Sequence, residues 1–136
     1  MSRAPVLLAG LVLTIVAAAR SAAQNAAMDP NALEPGVTFR VYHVGYPMDR
    51  LYDLLDDQTP NVDERRDVVD WPDQGDFGGF EDHFVVHVRG YLAVDAPGRY
   101  EFRLTTDDGS RLMIDGAEII DHDGLHAATA KTGAAD

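Results

Sequence analysis

The residues whose types and spacing suit chemistry are concentrated between Gly98 and His126, in the stretch GRYEFRLTTDDGSRLMIDGAEIIDHDGLH. Its centre is the doublet Asp107-Asp108, followed by Gly109. Paired carboxylates suit a hard cation, and calcium is the natural candidate because it takes about 6–8 oxygen ligands and accepts carboxylates and backbone carbonyls. On a regular strand adjacent side chains point to opposite faces, so Asp107 and Asp108 can share one ion only if a turn, or a cis peptide, brings them to the same side. Asp-Asp-Gly is also a common turn composition, and two aspartates alone supply too few ligands. Spacing by itself therefore leaves a structural turn and a cation site both open.

The other candidate groups are weaker. Asp121, Asp123 and Gly124 have the composition of a calcium loop but not the twelve-residue EF-hand spacing with its closing Glu, so a turn is expected there. His83 and His87 are four apart, which on a strand separates them by about 13 Å at ~3.3 Å per residue and prevents them from sharing a metal. His122 and His126 flank Gly124 in an expected loop, and with no cysteine and no third ligand they do not make a zinc site. Glu81-Asp82 and Glu101 are the carboxylates a glycosidase would use, yet nothing in the sequence fixes their separation or a cleft. There is no glycine-rich phosphate loop and no Gly-x-Ser-x-Gly elbow. Catalysis by this chain is not expected.

The elements that must position the doublet are strands. Tyr100, Phe102, Leu104 and Thr106 alternate with Glu101, Arg103 and Thr105, the cleanest period-two run in the chain. Leu112 and Ile114 resume the pattern after the doublet, Asp115-Gly116 is a two-residue hairpin signal, and Glu118 to Asp121 return. Upstream, Phe84, Val86, Val88, Leu92 and Val94 share one parity with Gly90, and Val37, Phe39 and Val41 mark a half-buried strand after Pro35-Gly36. Arg50 to Leu55 can form a helical turn. Asp56 to Gly79 reads as an irregular excursion broken by Pro60, Pro72, Gly75, Gly78 and Gly79, with Trp71, Phe77 and Phe80 pinning it to the body. Short strands, short turns and no helical period predict an all-β fold, an antiparallel sandwich or partly open barrel. Ala127 to Asp136 are small or polar and show no closing apolar strand. The expectation is that the domain is incomplete and belongs to a longer protein.

The N-terminus and the charge bound the function. Arg3, the fourteen-residue apolar run Val6 to Ala19 and the small residues Ser21-Ala22-Ala23 read as a secretory signal peptide over residues 1–23, cut after Ala23. The run is shorter than the roughly 20 residues that span a bilayer, and no later segment is long or apolar enough. Residues 24–35 then form a linker and 36–136 the β domain. The whole chain carries 11 basic and 23 acidic side chains. Cleavage removes Arg3 and Arg20 and no acid, leaving 9 − 23 = −14. That balance argues against a nucleic-acid partner, which needs a basic face. An exported chain without cysteine must be held by its core, a metal or neighbouring domains.

The segment GYLAVDAPGRYEFRLTTDDGSRLMIDGAEIIDHDGLH resembles the protective-antigen-type, or PA-fourteen, domain of fungal adhesins, bacterial toxins and exported glycosidases. The pieces that match are Gly90-Tyr91-Leu92, Pro97-Gly98-x-Tyr100-x-Phe102, Asp107-Asp108-Gly109-Ser110-x-Leu112, Ile114-Asp115-Gly116 and Asp121-x-Asp123-Gly124-x-His126. The resemblance is sharp after Asp82 and loose between Gly36 and Asp82. It implies a β-sandwich or barrel. In the lectin members the matching doublet has a cis peptide and binds calcium that coordinates sugar hydroxyls, which places metal binding on Asp107 and Asp108 and ligand binding on Asp107, Asp108 and Gly109. Those members complete the calcium shell from a later loop, and other members keep the doublet without sugar binding. The expected function is that of a secreted or cell-surface carbohydrate-binding module, calcium-assisted, whose partners are a glycan and neighbouring domains of a longer exported protein. The alternative is a structural domain that positions a neighbouring catalytic domain without binding sugar.

Overall fold

The computed structural model describes residues 9–17 and 29–136. Eight strands make two sheets: β1 (Ala9–Ala17), β2 (Val37–His43), β3 (Val62–Arg66), β4 (Phe84–Leu92), β5 (Tyr100–Thr106), β6 (Ser110–Ile114), β7 (Ala117–His122) and β8 (Thr129–Ala135). The larger sheet runs β3-β2-β4-β1-β6-β7, and β5 pairs with β8 in the smaller one. Neither sheet closes into a barrel. All pairings are antiparallel except those of β1, which lies parallel to both β4 and β6. The expected all-β sandwich is therefore what the chain forms.

The core follows from parity. Phe39 and Val41 of β2, Phe84, Val86 and Val88 of β4, Leu112 and Ile114 of β6 and Ile120 of β7 bury one face of the large sheet together with Leu13 of β1 and Leu104 of β5. Burying a side chain of this size stabilises by about 1.5–3 kcal/mol each before chain entropy is counted. Tyr42 and Val85, register partners on the opposite face, are also buried, as are Met48 and Leu51 of the loop after β2. That end of the outer face is thus closed to solvent.

Three sequence expectations are corrected. Arg50 to Leu55 contains no helical turn and belongs to the loop that follows β2. Residues 56–79 are not wholly irregular, because Val62–Arg66 adds an edge strand to β2 and Gln74–Phe77 makes a 3-10 turn. Ala127 to Asp136 do carry a strand, β8, which pairs with β5 along its whole length. Residues 9–17, the described part of the expected leader, form β1 in the folded chain, and the cleavage position after Ala23 lies outside the described residues.

The excursion before β4 is pinned as its aromatics suggest. Trp71 meets the Phe39 ring edge-on at 4.6 Å and Phe77 lies 5.1 Å from Phe84. The Arg66 guanidinium covers the Phe39 ring at 4.2 Å and donates to Glu64 and to the Asp76 carbonyl. A bulge between Leu112 and Met113 leaves Ile119 of β7 unpaired, and β8 crosses it at Gly133, where a side chain would strike the Ile119 carbonyl. A glycine is required at that approach.

Candidate functional site

The doublet sits in the tight connection between β5, in the small sheet, and β6, in the large one. Asp108 takes a left-handed backbone conformation, φ 63°, and the described residues contain no cis peptide. Of the two geometries open at the sequence level, a turn is the one formed. It sends the carboxylates apart: Asp107 is exposed, whereas Asp108 is 2 % exposed.

The buried half of the turn is tied down by polar contacts. The Asp108 amide donates to the His126 carbonyl at 2.9 Å, and Asp108 Oδ1 accepts the His126 amide at 3.2 Å. Thr106 Oγ1 donates to the Asp108 carbonyl at 3.0 Å and lies 2.8 Å from Ser110 Oγ. A hydroxyl has one proton, so Ser110 must be the donor to Thr106 in that pair. This chain of contacts fixes the turn to the end of β5 and the start of β6.

Asp123 links the turn to a distant loop. Its Oδ1 accepts the Leu51 amide at 2.6 Å and the Gly124 amide at 2.8 Å, and its own amide donates to Asp121 Oδ1 at 3.1 Å. Gly109 lies directly against that carboxylate, since a Cβ there would stand 2.8 Å from Asp123 Oδ1. Asp121, Asp123 and Gly124 thus form the expected turn, and its carboxylate serves as a clamp on the loop after β2. That loop carries Tyr46 and Tyr52, whose rings meet edge to face at 6.3 Å, with Tyr46 51 % exposed.

His122 and His126 stack at a ring-centroid distance of 4.0 Å. The ring nitrogens of His126 face the His122 and Ala127 carbonyls, each at 3.1 Å, and because carbonyls only accept, a neutral ring can serve one of them and a protonated ring both. Burial holds the His122 pKa below its ordinary value, and the nearby His126 and Lys131 push it the same way. His83 lies before β4 with φ 57°, while His87 is within the strand, so these two are not brought together as ligands.

The structure therefore gathers Asp107, Asp108, Gly109, Asp121, Asp123, His122 and His126 at one end of the sandwich, with Leu51 and its loop. The donor chemistry of Asp107 and Asp108 suits calcium, but the count does not complete a shell. Among the described residues no group of three or more His, Asp or Glu side chains is placed to hold a metal ion. The contributions of Leu51, Tyr46 and Tyr52 had no signal in the local sequence.

The family model of the PA14 domain matches residues 33–135, which take in every strand except β1. The chain belongs to the PA14 domain family. No curated protein and no solved structure matches it. PA14 domains are found in carbohydrate-binding and adhesion-type exported proteins. Among the described residues no helix is long and apolar enough to cross a membrane.

Proposed function

We propose that this domain is a carbohydrate-binding module of an exported protein, and that it binds without turning its ligand over. The observation that carries the reading is the split doublet: the turn spends Asp108 on the His126 backbone and leaves the Asp107 carboxylate facing solvent. The Asp123–Leu51 bond ties the loop bearing Tyr46 and Tyr52 to the same turn. An outward carboxylate accepts sugar hydroxyls, and the exposed Tyr46, with the half-buried Tyr52 against it, offers ring surface with a polar tip.

Calcium belongs to this proposal. It would supply a Lewis-acidic centre for vicinal hydroxyls, held by the exposed Asp107 carboxylate, which gives only a small part of the roughly 6–8 oxygens it takes, while Asp108, turned inward onto His126, holds the turn rather than the ion. The residues themselves set up the site: Asp107 accepts, Gly109 leaves room for the Asp123 carboxylate, and Asp123 holds the loop in place. Calorimetry and a glycan array on the full chain, with calcium and with chelator, test it. The expected result is glycan binding that Asp107→Ala abolishes and chelator weakens. An array without any ligand in either condition refutes the module.

A second reading has its own support. The Asp108 amide and carboxylate both close on His126, as a purely structural turn requires. A domain that only positions a neighbour would show no calcium effect on thermal stability, and Asp107→Ala would change nothing measurable.

A further inference from the structure

The far end of the outer face, away from the doublet, carries an open groove of about 360 Å³ lined by Gly36, Thr38, Arg40, Arg65, Arg89 and Tyr91 among others. Strand register builds it. Thr38 of β2 is opposite Arg65 of β3 on one side and Arg89 of β4 on the other, so the three stand in one row on one face. With strands about 4.8 Å apart, the two arginine Cα atoms flank Thr38 across roughly 10 Å. Arg40 lies in the next row, opposite Asp63 and His87. Tyr91, two residues beyond Arg89 on the same face, is 48 % exposed. Gly90 has no space for a side chain, because a Cβ would lie 2.8 Å from Val37 Cγ1.

The charge at this place runs against the rest of the molecule. On a chain of net charge −12 with 11 basic residues, three arginines line a single groove. Arg40 is held by Asp63 at 3.1 Å, which raises its pKa further and keeps it as part of the wall. Arg65 Nη1 donates to the Pro35 carbonyl at 2.9 Å, which fixes the side chain, and pairs with Glu34 at 3.3 Å; the Glu34 side chain is 83 % exposed, and a pair so open contributes little and is readily exchanged. Among the described residues no ion pair involves Arg89. His87 reports the local field: burial lowers its pKa, and Arg89 and Arg40 lower it more. Two guanidinium groups astride a threonine hydroxyl match a carboxylate, which accepts paired N–H donors.

The geometry points to a second ligand site here, in which Arg89 and Arg65 receive the carboxylate of an acidic sugar residue and Tyr91 supplies ring surface for the adjoining pyranose. The choice of a sugar rests on the carbohydrate reading above. The site itself lies at the opposite end of β4 from the doublet and uses no calcium.

Titration calorimetry of the full chain with oligogalacturonate, in chelator and at low salt, tests it against neutral dextran oligomers and polyglutamate. The expected result is binding of oligogalacturonate over both comparators, weakened about tenfold or more by Arg89→Ala and by Tyr91→Ala, and weakened by added salt. Both substitutions are at exposed positions, and an unchanged circular dichroism melt shows that the fold is kept. Asp107→Ala leaves this binding intact while removing calcium-dependent binding, so the two sites fail independently. Absence of oligogalacturonate binding, or equal binding of polyglutamate that Tyr91→Ala does not alter, overturns the proposal.

Discussion

Gly109→Ala is the sharpest probe of how the site is held. The new methyl carbon would stand 2.8 Å from Asp123 Oδ1, 3.1 Å from the Gly124 nitrogen and 3.4 Å from the Gly124 oxygen. The first of these is too close, and the carboxylate oxygen is the movable partner. Moving it costs its bonds from the Leu51 and Gly124 amides, at 2.6 and 2.8 Å. Bonds to a charged acceptor contribute about 1.5–3 kcal/mol each when buried, less here because Asp123 is exposed, so a combined loss of about 2 kcal/mol is expected. For a domain of this size that corresponds to a fall in Tm of about 6–10 °C. Gly75→Ala, whose Cβ meets nothing within 4 Å, is the control and should change stability by less than about 0.5 kcal/mol. Equilibrium unfolding gives the stabilities, and hydrogen exchange at the Leu51 amide reports the clamp directly. In an Asp123→Ala background the cost of Gly109→Ala should nearly vanish, since the obstructing oxygen is gone. An equal cost in both backgrounds, or unchanged protection at Leu51, would refute the clamp.

Other outcomes follow from the same contacts. Asp108→Ala, which removes the acceptor for the His126 amide, should destabilise by about 1–3 kcal/mol in thermal melts, and Asp108→Asn, which keeps an oxygen there, by clearly less. Arg66→Met removes the bonds to Glu64 and Asp76 and the charge over Phe39; a loss of about 1–2 kcal/mol and a red-shifted emission of Trp71, the one tryptophan, are expected. The folded-state pKa values of His122 and His87 lie below the ordinary 6.5, so the unfolded chain takes up protons first. Stability should hold above that pH and fall as pH drops through 6.5 towards the lower folded values, and His122→Gln should flatten the profile of Tm against pH. Removing residues 1–23 takes out β1 and opens the β4 and β6 edges, so light scattering should show aggregation that a synthetic peptide of residues 9–17 suppresses.

What the sequence revealed depended on whether burial was written in side-chain size. β5 and β4 were legible because large apolar residues alternate along them, and β6 and β7 because Asp115-Gly116 marks their hairpin. β8 was hidden: Thr129–Ala135 holds no large apolar residue and is held by backbone pairing with β5 and by the fit of Gly133 on the bulge. β3 was hidden because it is charged, and its inward Arg66 packs as a cation on Phe39 where a hydrophobe would have been the visible sign. The doublet turn could be read from Asp-Asp-Gly. Its clamp could not, since Asp123 and Leu51 are 72 residues apart and the Leu51 contribution is a backbone amide that any residue type provides.

The segment that reads as a leader raises the same issue at a larger scale. A parallel strand in the middle of a sheet is covered on both faces, so it appears as a continuous apolar run, and AGLVLTIVA has the composition that either role requires. In the sheet it pairs with Phe84 to Leu92 on one side and Ser110 to Ile114 on the other, with Leu13 buried at 5 %. The two roles exclude each other at any one moment, because a segment paired on both edges cannot also be handed to an export channel. Removing it leaves β4 and β6 about 10 Å apart, twice the strand spacing and too far to pair. Closing that gap would drag Leu112, Ile114 and Ile120 past Leu104 in an interior with little free volume. The shift would begin at Ser110, which is opposite Leu11 in β1 and holds the Thr106 hydroxyl beneath the doublet. Loss of β1 therefore reaches the candidate site through β6, and binding measured on residues 24–136 alone would report on a disturbed turn.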